Sequence, residues 1–313
     1  MSAPRVTYLS GGVGGAKLAL GLARVLSAEA LTIIANTGDD FTHLGLRICP
    51  DIDTLVYTLS GRANLVQGWG RQDESDGFMT AMRELGGPDW FFLGDRDLAM
   101  HVERTRRLNA GERLTDVTAA LASALGIGPR ILPMTDAAAP TIIDTADGPM
   151  PFQDYFVRLR AAPEVTGFTL HGGVAQDPSA DVLAALDAPD MVIIGPSNPF
   201  ISIDPILHLA GVRARLGALR DAGTRVIAIS PIVGGDAIKG PTAKMFRELG
   251  TDPSVAAVAA RYRDIASHLM LDNADAALAD TVTSQGLSAP VTSTVMRTVG
   301  DRIDLAKAAL ALH

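Results

Sequence analysis

Short apolar runs of strand length alternate with amphipathic helical stretches along nearly the whole chain, and this alternation leaves few folds open. Val6–Leu9, Leu31–Ala35, Trp90–Leu93, Ile131–Pro133, Thr141–Asp144, Val165–Leu170, Met191–Ile194 and Arg225–Ile229 read as strands. Several are continuously apolar, as parallel strands covered on both faces are. Helical periodicity marks Ala16–Leu26, Asp53–Leu59, Asp76–Leu85, Ala99–Leu108, Val117–Leu125, Val182–Leu186, Val212–Asp221 and Thr242–Leu249. Thr115 and Asp116 supply an N-cap signal before Val117, and Gly126 a stop. The pattern predicts an α/β fold: a doubly wound, mostly parallel, Rossmann-like sheet in one domain over 1–313, with a small inserted α/β region at about 140–180. Beyond about residue 267 the chain reads as further strand–helix units without legible chemistry.

The unusual residues fall in a telling place. Ser10–Gly15, Asn36–Asp40, Gly94–Asp97, Gly195–Asn198 and Ser230–Gly235 each directly follow a strand candidate. In a parallel sheet such loops share one edge, where open α/β folds bind ligands. Composition narrows the ligand. A net charge of −8 argues against a general nucleic-acid binder, which needs a basic footprint, and leaves room for a small anion. A single cysteine, Cys49, can form no internal disulfide, which fits a reducing cytoplasm. No run approaches the roughly 18 apolar residues of a membrane span. The N-terminus superficially resembles a leader, but Gly11, Gly12, Gly14, Gly15 and Lys17 interrupt its apolar stretch. The expectation is a soluble, cytoplasmic protein.

Ser10-Gly11-Gly12-Val13-Gly14-Gly15-Ala16-Lys17 joins a strand to a helix, where glycines let the backbone approach a phosphate and the helix N-terminus favours an anion. It departs from the dinucleotide fingerprint at Lys17, and from the P-loop at Ala16 and Leu18. Asp39 and Asp40, with Asp51 and Asp53 a short loop away, look like oxygen ligands for Mg²⁺. For any one of them helix capping is an equal reading; the group of four favours a metal. Arg96 can grip a phosphate through its planar fork. Trp90, Phe91 and Phe92 read mostly as core, with one ring left to wall a flat ligand. Trp69, between two glycines, is either a ligand lid or a loop residue packed on the core. Gly195–Pro199 and Ser230–Gly235 offer two more loops, the second followed by Lys239. Only four of the 27 basic residues are lysines, and two of them, Lys17 and Lys239, sit beside glycine loops. Cys49 reads as an inert buried thiol and His171 as a loop residue. The histidines show no metal-ligand spacing.

Together these segments resemble the 2-phospho-L-lactate transferase (CofD-like) family of coenzyme F-420 biosynthesis, from about residue 5 to 250. The motifs are those at 10–17, 36–40, Cys-Pro-Asp-Ile-Asp-Thr at 49–54, Leu-Gly-Asp-Arg-Asp at 93–97, Gly-Pro-Ser-Asn-Pro at 195–199 and Ser-Pro-Ile-Val-Gly-Gly at 230–235. The resemblance implies that a guanosine diphospho donor carries a lactyl, enolpyruvyl or glyceryl group. The hydroxyl of the deazaflavin FO attacks its distal phosphorus, and GMP leaves. It implies Mg²⁺ on Asp39, Asp40 and Asp53, and catalytic roles for Asp40, Asp53, Arg96 and Lys239. Gly11, Gly12, Gly14, Gly15, Lys17, Gly234 and Trp69 would line the substrates, with FO near Asp53 and Phe92 and guanosine near Ser197 and Asn198. Transferases of this size are often homodimers. Two other readings stand beside it. One is a nucleotide-sugar or dinucleotide-binding regulator from a related glycine-loop family. The other is an NAD-dependent oxidoreductase, disfavoured by Lys17 and the missing catalytic histidine.

Overall fold

The computed structural model describes residues 4–64 and 67–312. Seven strands form the main sheet: β1 (Val6–Ser10), β2 (Leu31–Ala35), β3 (Arg130–Pro133), β4 (Met191–Ile194), β5 (Arg225–Ile229), β6 (His268–Asp272) and β7 (Val291–Thr292). Their spatial order is β3-β2-β1-β4-β5-β6-β7, and every neighbouring pair is parallel. The winding reverses between β1 and β4, so the loops leaving these two strands flank a crevice at the carboxyl edge. This is the doubly wound α/β sheet expected from the alternation.

β1 and β4 are buried at every residue because both sheet faces are covered. Alternate side chains feed two cores. Leu9, Ile34, Val192 and Ala228 pack on one face, while Tyr8, Ile33, Ile193 and Ile227 pack on the other. The second face is covered by α1 (Gly12–Val25), α2 (Pro50–Leu59) and the C-terminal helix Val299–Leu310. A Cβ on Gly21 of α1 would lie 2.0 Å from the Arg302 carbonyl oxygen, so the two helices touch backbone to backbone. The last fifty-odd residues (260–312) thus complete the sheet and lock the helix that follows β1.

Several local expectations change. Trp90–Leu93 is not a strand. Two further helices, α3 (Gly77–Glu84) and α4 (Asp95–Asn109), bracket it, and its rings pack sideways on the small hairpin Phe41–His43/Leu46–Ile48 instead of entering a ladder. Asp95, Arg96 and Asp97 therefore form the first turn of α4 rather than a loop at the sheet edge. Helix Leu114–Ala124 begins ahead of the expected cap, with Arg113 at the N-cap position and Asp116, paired to Arg113, in its first turn. Within 140–180 the strands Ile142–Thr145, Gly148–Pro151 and Val165–Thr169 form a separate antiparallel sheet.

Gly21→Ala is expected to destabilise the protein by about 1–3 kcal/mol in denaturant unfolding, because a methyl cannot fit against the Arg302 carbonyl. Equal or greater stability, as helix propensity alone would give, would contradict this packing.

Candidate active site

A cleft of about 800 Å³ opens at the carboxyl edge of the sheet, lined by the loops after β1, β2, β4 and β5 and by residues Thr294–Met296 beyond β7. Gly11, Gly12, Val13 and Gly14 form its floor. The glycines there answer to packing as much as to any ligand. Gly12 has φ +64, and a Cβ at Gly14 would stand 2.7 Å from the Pro196 carbonyl oxygen. A Cβ at Gly11 would meet Ser202 at 2.6 Å and Asp51 at 2.8 Å. The loop after β4 is clasped to this turn: Ser197 Oγ donates to the Gly11 carbonyl at 2.7 Å and accepts from its N–H at 3.3 Å. Asn198 caps its own segment, Oδ1 accepting from the Phe200 N–H at 2.9 Å.

Asp51 does not cap its own helix. Its Oδ1 accepts from the Gly12 N–H at 2.6 Å and its Oδ2 from Asn36 Nδ2 at 2.9 Å. The same Asn36 amide reaches Asp39 Oδ1 at 3.3 Å, so one side chain tethers two acids. Burial pushes the Asp51 carboxyl up to about 6, against the pull of Asn36 and Gly12. Burial, then the charges of Asp51 and Asp40, hold Asp39 well above the usual carboxylate range. Both line the cleft. Two crowded carboxylates facing a helix N-terminus and a cluster of lysines are chemically suited to a hard divalent cation shared with phosphate oxygens.

Asp53 is in a different state. It also lines the cleft, but Arg104 of α4, fully buried, holds both its oxygens, with Nη1 to Oδ2 at 3.2 Å and a closer contact from Nη2 to Oδ1. His101 Nδ1 lies 3.7 Å from Asp53, and His101 Nε2 lies 3.2 Å from Asp97, which also accepts a hydrogen bond from the Tyr57 hydroxyl. Burial pushes Asp97 up, but His101, Tyr57 and Arg104 outweigh it and leave the carboxyl below its ordinary value. Asp53, Asp97 and His101 bring ligand atoms within 4.8 Å of one another. Arg104 already pairs with both oxygens of Asp53, so the Asp39–Asp51 pair, bonded to no basic side chain among the described residues, fits a metal better.

Of the residues singled out in the sequence, Gly11, Gly12, Gly14, Lys17, Asp39, Asp53, Trp69, Phe92, Ser197, Asn198 and Lys239 come together in this cleft. Asp40 does not line it: it lies buried against Arg47 at 3.2 Å, its carboxyl pushed up to about 7 by burial despite that partner. Arg96 lies outside the cleft on the first turn of α4, 3.8 Å from Asp73. Gly15 is packed on Ser10 and Ser197, and the Gly234 N–H is taken by Asp275 at 3.0 Å. Cys49 is fully buried, which raises its thiol further. His101 and Arg104 were not singled out, and Asp97 only as part of the 93–97 motif, although their spacing, Asp-x-x-x-His-x-x-Arg, marks one face of a helix. Besides Trp69, aromatic rings enter as Trp90, Phe91 and Phe92 before α4 and as Phe152 stacked on Phe156 with centroids 5.3 Å apart.

The chain matches the family model described as 2-phospho-L-lactate transferase CofD over residues 6–297. It is 37% identical over 314 aligned residues to the phosphoenolpyruvate transferase of Streptomyces griseus, covering 98% of each chain. It is 36% identical over 298 residues to the 2-phospho-L-lactate transferase of Methanococcoides burtonii, covering 95% of this chain and 96% of that one. Its fold is similar to the crystal structure of a UPF0052-family protein from Bacillus halodurans, with a TM-score of 0.65, 14% identity and 99% of both chains covered.

Arg104→Met strands the Asp53 carboxylate and should cost about 3–5 kcal/mol in urea unfolding, most of it recovered in Asp53→Leu/Arg104→Met. A single variant as stable as the parent would show that the pair is not desolvated.

Proposed function

The chain belongs to the 2-phospho-L-lactate transferase CofD family, and we propose from that premise that it transfers a phospho-three-carbon-acid group from a guanosine diphospho donor to the hydroxyl of the deazaflavin FO. The observation that carries this reading is one cleft in which a helix N-terminus and paired acids face aromatic rings. The first two suit a diphosphate, and the rings suit a flat tricycle. In the reaction the FO hydroxyl oxygen bonds to the distal phosphorus. The bond from that phosphorus to the bridging oxygen breaks, its electron pair leaves with GMP, and the hydroxyl proton passes to a nearby base or water. Attacking and leaving oxygens lie roughly in line, and the enzyme's main work is positioning and neutralising charge.

Lys17 and Lys239, both on the cleft wall, would neutralise the diphosphate, and the first-turn amides of α1 left without intrahelical acceptors would face it. Asp39 and Asp51 would hold Mg²⁺, which would supply positive charge to offset the charge that develops in the transfer. Asp53, fixed by Arg104, orients the neighbourhood of the acceptor rather than carrying a free charge. Tyr57, whose phenol is pushed up by burial and by the charges of Asp53 and Asp97, remains a donor there. No helix of the described residues is long and apolar enough to cross a membrane, in keeping with an enzyme working in the cytoplasm.

Fluorescence titration of FO should show saturable binding that tightens with Mg²⁺ and GDP. Absence of FO binding under every condition, with tight binding of a nucleotide sugar or NAD, would instead support the regulator reading. Asp39→Asn and Asp51→Asn are expected to weaken Mn²⁺ binding, read by electron paramagnetic resonance with GDP present, by at least the roughly tenfold that losing even an outer-sphere partner costs. Asp40→Asn should leave it unchanged, and equal losses in all three variants would remove this assignment.

A further inference from the structure

A second cavity of about 370 Å³ opens beside the cleft and shares Val13, Lys17, Thr54, Trp69 and Lys239 with it. Arg297, Thr298 and Arg302, from the start of the C-terminal helix, line this cavity and not the cleft. Four cationic side chains thus line a small space in which no described residue contributes a carboxylate. Arg302 is only 7% exposed, and its Nε has no hydrogen-bond partner among the described residues. Lys17 donates to the Met296 carbonyl at 3.1 Å, and its ammonium is disfavoured by burial and by the charges of Arg302 and Lys239. Arg302 is the buried member of this group, with Lys17 half-buried and Lys239 and Arg297 exposed, and a buried guanidinium beside a second cation is costly unless an anion completes the group.

The in-line geometry says what that anion should be. When nucleophile and leaving group lie on one axis through phosphorus, the spectator substituents spread across it. The three-carbon acid is one of these, so it must project sideways from the diphosphate, off the line between GMP and FO. We propose that the side cavity receives the carboxylate of this acid, clamped by Arg302 and Arg297, while Lys17 and Lys239 at the shared wall face the phosphate. This rests on the transfer reading above and makes the pocket the seat of donor recognition. It also gives the C-terminal helix a part in the site.

The test separates donor recognition from folding and from nucleotide binding. Arg297→Gln, on an exposed residue, and Arg302→Gln should each raise the donor KM by roughly tenfold or more while kcat changes less. Equilibrium affinities for GDP and FO, neither of which bears the acid, should stay as in the parent, and Arg302→Lys should recover part of the loss. An unmoved donor KM in both glutamine variants overturns the assignment, as does a loss of GDP affinity that keeps step with KM. Inorganic phosphate that binds the GDP-saturated parent and not Arg302→Gln, without competing with donor, would make the cavity a free-anion site and also overturn it. A parent protein that binds neither GDP nor FO would instead sink the transfer reading itself.

Discussion

The carboxylate of Asp51 ties the site together. It bonds at once to the first turn of α1 through Gly12 and to the loop after β2 through Asn36, while its own backbone begins α2. The connections that leave the sheet after β1 and after β2 are thereby fixed to each other beside the crevice. The tie is possible only because Gly11 has no side chain, since a Cβ there would strike both Asp51 and Ser202. An acid at a helix N-terminus is normally a cap on its own helix. Here the cap is borrowed by a neighbour, so the positive end of α1 is partly neutralised from within the chain. A ligand phosphate at this turn would meet Asp51 as well as free amides.

Charge is sorted around this tie. Asp53 and Asp97 lie toward α4, where Arg104 pairs with Asp53 and His101 and Tyr57 reach Asp97. Asp39 and Asp51 sit at the centre with no basic side chain bonded to them among the described residues. Lys17, Lys239, Arg297 and Arg302 gather beyond α1. The acidic centre repels an anion, so the basic flank is the side that attracts one, and low-dielectric walls strengthen that attraction.

The sheet was legible because its strands are local signals. Met191–Ile194 is an uninterrupted apolar run, Leu31–Ala35 and Arg225–Ile229 are apolar but for Thr32 and Arg225, and the structure forms those strands with those bounds. Trp90–Leu93 carries the same signal and fails, since aromatic rings that find partners in a side cluster leave no trace of that choice in their own sequence. Glycine loops were legible for a related reason: a turn that needs Gly12 or a close approach that needs Gly14 excludes other residues. What could not be read was pairing across distance. Arg104 matters through Asp53, and Arg302 through Lys17, and neither arginine differs by its neighbours from a surface charge. The acids were easier to see as a group than to sort, because the same residue type serves as metal ligand, borrowed cap and ion-pair partner depending on contacts made after folding.

The likeness to the UPF0052-family structure is a likeness of fold, at 14% identity, and the present chain shows where such a frame leaves room for different chemistry. The parallel sheet and the turn into α1 supply a general anion-binding edge. The aromatic rings and the Asp97–His101–Arg104 face come from the excursion between α2 and β3, and Phe152 and Phe156 come from or next to the small antiparallel sheet between β3 and β4. Neither excursion is needed to close the seven-stranded sheet. Both nonetheless share cores with the sheet, Phe152 and Tyr155 with Leu9 and Ile34 on one face and Met100 and Leu114 with Tyr8 and Ile33 on the other. On the proposed reading, the excursions would set acceptor choice and the sheet edge would handle phosphate. Recognition of the transferred acid would then fall to the C-terminal helix, which is pinned to α1 at Gly21.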